Sequence, residues 1–326
     1  MDVKLSEFII NSLTSTSYAD RRYFLHKGKY RTWRYTFQQI YEGSCRFADF
    51  LEDMGLSRGD YILIKCRNSP EWVTAFLGCI LKGYVIVPLD SGSNPDFDLR
   101  VNSKIKSEVI IADDLNSCSH FKDSTIKKVF LEQVTEMLNP ALYEEAPIKK
   151  PDDTGKKPAD KKPEYRPVET GPDDLMEIVF TSGTTTEPKG VMITYKNVEA
   201  NLESVQEVMK KYDRIFRVMT SPRILSLVPL SHMYGQLIGI FTPLMIGSSM
   251  MFTENLSPNH ILRIIKEEKI WILGVLPKLL EMLKNQVISK FDLDNEGFSR
   301  LLRRMKTKKW QLRLGRFWNI HMRIGW

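Results

Sequence analysis

Cysteine is scarce in this chain: four in 326 residues, at positions 45, 66, 79 and 118, with no C-x-x-C pair. That scatter excludes a disulfide framework and a zinc site, and it suits a reducing compartment. The opening residues Met1-Asp2-Val3-Lys4-Leu5-Ser6-Glu7 lack both a basic start and a long apolar run. No secretory signal is expected there, and a cytoplasmic protein is. Charge is missing altogether from Ile224 to Thr253. A run of that length can span a bilayer, but Pro229, His232, Gln236 and Pro243 divide it. It reads better as strand (224–228), turn, helix (233–246) and strand (249–252), because buried strands of parallel sheets are continuous apolar runs. Acidic residues are absent from Arg300 to Trp326, where there are nine Lys/Arg. The whole chain carries a net +7, so the remainder nets −2 and the basic character is local.

What is present is ordinary for a globular protein: 42% hydrophobic and 27% charged residues. At 326 residues two domains are expected. The reading is an α/β subdomain over 1–143, a Pro/Lys-rich solvated linker over 144–174, a second α/β subdomain over 175–299, and a basic tail over 300–326.

Element signals are dense in the first half. Thr36 and Gln39 form a capping-box pattern, and Ile40, Phe47, Phe50, Leu51 and Met54 give a helical stripe that stops at Gly55. Tyr61–Cys66 reads as a strand. Ser69-Pro70-Glu71 opens a helix that runs to Lys82 and stops at Gly83. Tyr84–Pro88 is the next strand, which makes a βαβ unit and predicts a parallel sheet. A helix over Asp98–Lys106 follows, with strands over Val109–Ala112 and Val129–Leu131. Further on, Asn197 is the expected cap of a helix carrying Val198, Leu202 and Val205.

One stretch points to chemistry. Leu175–Phe180 and Val191–Thr194 are apolar runs that flank Thr181-Ser182-Gly183-Thr184-Thr185-Thr186-Glu187-Pro188-Lys189-Gly190. Five hydroxyls, a glycine and a lysine between two strands suit an anion such as phosphate. The order is not the common P-loop G-x-x-x-x-G-K-[ST].

It resembles instead the signature loop of the adenylate-forming (AMP-binding) superfamily, Thr-Ser-Gly-Thr-Thr-Gly-x-Pro-Lys-Gly, departing only at Thr186, where glycine is usual. Three other stretches are similar to the same superfamily. Asn68-Ser69-Pro70-Glu71-Trp72 with Val85-Ile86-Val87-Pro88-Leu89 is most like long-chain fatty-acyl-CoA synthetases. Ser226–Gly235 resembles the strand, proline and helix-opening histidine that line the acyl pocket in relatives, and Ile270–Leu280 resembles a further element bordering it.

The resemblance implies the N-terminal part of the adenylate-forming fold, with mostly parallel sheets flanked by helices. It implies ATP-dependent activation of a carboxylic acid, a long-chain fatty acid above all, to an acyl-adenylate and then to acyl-CoA. It assigns Thr181, Ser182, Gly183, Thr184, Thr185 and Lys189 to ATP or pyrophosphate, and His232, Tyr234 and Gly235 to the acyl substrate. ATP, Mg2+ and CoA are the implied cofactors, with no metal ligand and no certain catalytic residue within this chain. The superfamily's later motifs, for adenine, ribose, magnesium and the mobile lysine-bearing domain, are not found here. The chain is therefore expected to be an N-terminal portion that is inactive by itself and completed by a C-terminal half. The alternative is a non-catalytic nucleotide- or acyl-binding module that acts with a partner. The basic tail, with Leu301, Leu302, Met305, Trp310, Leu312 and Phe317, suggests a peripheral contact with anionic membrane. No nucleic-acid motif accompanies it, and no nucleic-acid partner is expected.

Overall fold

A computed structural model describes residues 4–17, 19–27, 32–122, 125–139, 165–181, 187–211 and 222–289. Ser182, Gly183, Thr184, Thr185 and Thr186, most of the linker and the whole basic tail lie outside the described residues. Contacts divide the chain into two units, one from Asp2–Phe24 and Trp33–Val198, the other from Leu25–Thr32 and Glu199–Trp326.

The first unit begins with α1 (Leu5–Thr14), followed by β1 (Arg22–Lys27), β2 (Thr32–Thr36) and α2 (Phe37–Asp53), the two strands being shared with the other unit. Then come β3 (Tyr61–Lys65), α3 (Pro70–Lys82), β4 (Val85–Pro88), α4 (Pro95–Ile105), β5 (Val109–Ala112), β6 (Lys127–Phe130) and α5 (Leu131–Leu138). β7 (Leu175–Thr181) and β8 (Lys189–Thr194) complete a six-stranded sheet of order β6-β5-β3-β4-β7-β8. Its neighbours are parallel except β7 and β8, which run antiparallel. The candidate phosphate loop is thus the connection of an antiparallel pair at one edge of an otherwise parallel sheet.

Local chemistry explains the helices. In α2, Thr36 Oγ1 accepts from Gln39 N at 3.1 Å and Gln39 Oε1 accepts from Thr36 N at 2.9 Å, a reciprocal capping box. In α3, Ser69 Oγ accepts from Trp72 N at 3.1 Å, Pro70 takes the first turn, and Gly83 ends the helix at φ 69°. α4 starts at Pro95, three residues before the expected Asp98, because Asn94 Oδ1 accepts from Asp96 N at 2.9 Å and supplies an earlier cap. The core of this unit joins Leu63, Val85, Val87, Val101, Ile110 and Phe121 on one face of the sheet, and Ile62, Ile64, Ile86 and Ile111 on the other face are buried as well, so both faces are covered as a parallel sheet requires.

α6 (Tyr195–Lys211) leads into the second unit. Its cap differs from the expected one. Asn197 lies in the first turn, where its Oδ1 accepts from Thr194 N at 3.0 Å while Thr194 Oγ1 faces Asn197 N at 3.4 Å. Thr194 is the capping residue and Asn197 its reciprocal partner. In the second unit β9 (Arg223–Ser226) lies at the centre of parallel pairs with β10 (Ser249–Phe252) and β11 (Ile272–Gly274), and β1 lies beside β10 in the sheet order. α9 (Pro258–Glu267) and α10 (Pro277–Ser289) follow β10 and β11 respectively. Leu25, Leu225, Met251, Ile261, Ile264 and Leu283 form its core.

The single helix expected over 233–246 is three pieces: α7 (Met233–Gln236), a π-helical turn (Leu237–Phe241) and α8 (Thr242–Ile246). Close packing on the preceding turn accompanies the irregularity. A Cβ at Gly235 would lie 1.9 Å from Pro229 O, and one at Gly239 would lie 2.8 Å from Leu230 Cδ2. Among the described residues no helix is long and apolar enough to cross a membrane.

Candidate active site

The strand register sets the phosphate-loop candidate. Thr181, the last residue of β7, pairs with Lys189, the first of β8, so both stand where the hairpin opens. Both are exposed. Inside the pair, Phe180 faces Gly190 and Val179 faces Val191. Gly190 is needed for space: a Cβ there would meet Ile178 Cγ2 at 2.7 Å and Phe180 Cζ at 3.0 Å. The final glycine of the motif thus lets β8 close onto β7 immediately after the lysine.

A residue that sequence patterning did not single out holds this end of the loop. Lys104, in the last turn of α4, lies 2.8 Å from Glu187 Oε2 and donates to Pro188 O at 3.0 Å. Hydrogen bonding to Lys104, with the Lys104 and Arg100 charges, holds the Glu187 carboxyl below the usual carboxylate range. Pro188 itself is buried. No local signal ties position 104 to position 187; only the folding of α4 against the sheet brings them together.

The first unit also buries a polar cluster outside the loop. Lys65 Nζ, at the carboxyl end of β3, lies 2.6 Å from Asp98 Oδ2 and 2.8 Å from Ser93 Oγ. Ser93 Oγ donates to Asp98 Oδ1 at 2.5 Å, and His120 Nε2 stands 3.0 Å from Asp98 Oδ2. The Lys65 and Asp98 side chains are 4% and 0% exposed. Such a pair offsets its desolvation only when the remaining lone pairs and protons are engaged; Ser93 supplies contacts to both members, while His120 stands beside Asp98 without a hydrogen bond from its Nε2. It is a structural fastening of α4 to the strand ends. Sequence alone did not reveal it, because lysine and aspartate are normally solvent-facing residues.

His232, Tyr234 and Gly235 belong to the second unit, whereas Thr181 and Lys189 belong to the first. His232 is exposed and occupies the N-cap position of α7 without a capping bond from its side chain. Its backbone N donates to Pro229 O at 3.3 Å. Gly235 lies so close to the Pro229 carbonyl that there is no room for a Cβ. Gln236 is buried and its Nε2 donates to Leu230 O at 3.1 Å, which ties the start of α7 to the 229–230 turn. Tyr234 is half-buried, and that burial raises the pKa of its phenol, so it stays protonated near neutrality. The histidine ring is therefore presented by a tightly constrained turn, free of any duty in closing the helix.

Among the described residues no group of three or more His, Cys, Asp or Glu could hold a metal ion. Cys66 and Cys79 are buried and Cys45 is partly so, with burial pushing the Cys45 thiol up to about 12, which leaves it no nucleophilic role at neutral pH.

Comparison with known proteins gives the family and the fold. The AMP-binding enzyme family matches residues 14–322. A 4-coumarate--CoA ligase, CCL1, of Humulus lupulus is 24% identical over 265 residues, covering 80% of this chain and 46% of the relative. Long-chain-fatty-acid--CoA ligase 5 of Mus musculus is 27% identical over 214 residues, covering 61% of this chain and 29% of the relative. The chain thus spans less than half the length of these curated relatives. Among solved structures, the fatty acyl-adenylate ligase from L. pneumophila, in complex with acyl adenylate and pyrophosphate, superposes with a TM-score of 0.63 at 22% identity, over 83% of this chain and 44% of that one. The fold is that of the N-terminal portion of adenylate-forming enzymes, and with a match reaching from residue 14 to residue 322 the chain belongs to the AMP-binding enzyme family.

Proposed function

We propose that this chain supplies the pyrophosphate grip and part of the acyl site of an ATP-dependent acid–thiol ligase acting on a long-chain fatty acid. The observation that carries the reading is the register of Thr181 against Lys189 at the open end of the β7–β8 pair, with a hydroxyl-rich connection between them. In the reaction a carboxylate oxygen attacks the α-phosphorus of ATP, the bond to the β-phosphate oxygen breaks, and pyrophosphate leaves. A thiol such as that of coenzyme A then displaces AMP. Lys189 and the hydroxyls of Thr181, Ser182, Thr184 and Thr185, with the Gly183 backbone, hold the departing phosphates. His232 orients the carboxylate, with Tyr234 and Gly235 shaping its surroundings. Catalysis of this type is chiefly positioning and charge stabilisation. The long-chain preference is supported by the Asn68–Trp72 block and by the uncharged 224–253 segment. Relatives named for 4-coumarate as well as for long-chain fatty acids make the acid the finer part of the proposal.

Lys189→Ala tests the grip. It weakens pyrophosphate binding by about 1.5–3 kcal/mol, the worth of a hydrogen bond to a charged group, read by calorimetry; unchanged affinity removes the lysine from the site. The activity of the chain by itself is read by ATP–pyrophosphate exchange with a panel of fatty acids. Exchange below about 1 per second together with measurable pyrophosphate binding fits a portion that needs a second half to turn over. Binding that no acid or added C-terminal half converts into exchange favours the second reading, a non-catalytic nucleotide-binding module.

A further inference from the structure

The phosphate-loop motif contains one acidic side chain, Glu187, two residues before the lysine that is to hold the anion. A carboxylate a few ångströms from a polyphosphate repels it, and more strongly where water is excluded. The fold answers this with Lys104. Its ammonium stands 2.8 Å from Glu187 Oε2 and donates to Pro188 O at 3.0 Å, so one cation engages both residues between the turn and Lys189. Arg100, one helical turn earlier on α4, adds a second positive charge that acts on Glu187. The side chains of Lys104 and Glu187 are 40% and 73% exposed. A pair that open to water contributes little to folding, so its effect is to be sought in what the loop binds.

We propose that Lys104 is a positioning residue of the phosphate-holding loop: it masks the Glu187 charge and pins the Pro188 carbonyl, so that Lys189 faces the bound anion without a competing carboxylate. The inference rests on the reading of 181–190 as a phosphate site. It assigns Lys104 no contact with the reacting atoms. Removal of Lys104 sets the Glu187 carboxylate against the ligand; removal of the Glu187 charge as well makes Lys104 dispensable. That coupling is the signature of a masking role, and neither a direct phosphate ligand nor a purely structural residue produces it.

The experiment is a pyrophosphate titration by calorimetry at low salt on residues 1–326, with the wild type, Lys104→Ala, Glu187→Gln, the double variant and Lys104→Arg. Lys104→Ala binds about fivefold more weakly, the equivalent of one screened ion pair. Glu187→Gln binds at least as well as the wild type, the double variant returns to within about twofold of it, and Lys104→Arg retains binding. Lys104→Met, which keeps the aliphatic stem, is run beside the alanine to separate lost charge from lost packing and weakens binding equally. A Lys104→Ala affinity equal to the wild type's, or a double variant as weak as the single one, overturns the inference while leaving the loop reading intact. Wild-type protein that binds no pyrophosphate overturns the loop reading and this inference with it.

Discussion

The two ends of α4 carry ion pairs of opposite character. At the first turn Asp98 is fully buried and meets Lys65, Ser93 and His120; at the last turn Lys104 reaches Glu187 and Pro188 across exposed surface. Both charges suit the helix dipole, an acid near the N-terminus and a base near the C-terminus. Burial separates them. A buried ion left without its partner keeps its full desolvation cost, whereas an exposed one is rehydrated. One end of the helix is therefore committed to the fold, and the other is available to the loop.

Substitutions sharpen that contrast. Asp98→Ala leaves Lys65 buried without a countercharge and lowers unfolding free energy by about 3–5 kcal/mol, measured by urea denaturation. A loss much smaller than that would mean water enters the cluster and the two ends differ less than their burial says. Asn94→Ala removes the cap that starts α4 at Pro95 and costs about 1 kcal/mol, with no change in pyrophosphate affinity if the N-terminal end serves the fold alone. Lys104→Ala leaves the urea midpoint where it is in the wild type. A shift comparable to that of Asp98→Ala would break the comparison.

Much of the first unit was legible because its local signals agree. Ser69, Pro70 and Gly83 mark both ends of α3, Thr36 and Gln39 mark the start of α2, and the apolar runs at 61–66 and 109–112 lie in the parallel sheet they predict. The hydroxyl-rich loop stands out by residue type, and the two strands expected to flank it are present as an antiparallel pair. What the sequence hid depends on distance along the chain. Lys104 lies 84 positions from Pro188, and Lys65 lies 33 from Asp98, so no window of local pattern contains either pair. The π-helical turn at 237–241 was also hidden, because hydropathy does not register that Gly235 presses onto the Pro229 carbonyl. Asn197 misled for a related reason: Thr194 and Asn197 both cap well, and only the turn geometry gives the cap to Thr194.

Strand β8 closes the sheet order among the described residues, with Val191 and Met192 54% and 70% exposed. A sheet margin of this kind combines a row of backbone donors and acceptors with apolar cover, and it recruits extended chain. The residue that opens that margin is Lys189. Strand addition at β8 by a second copy of the chain would therefore act directly beside Lys189, the residue proposed to hold the anion. Ligand affinity would then become a function of protein concentration, and dilution series belong in any measurement made on the isolated chain.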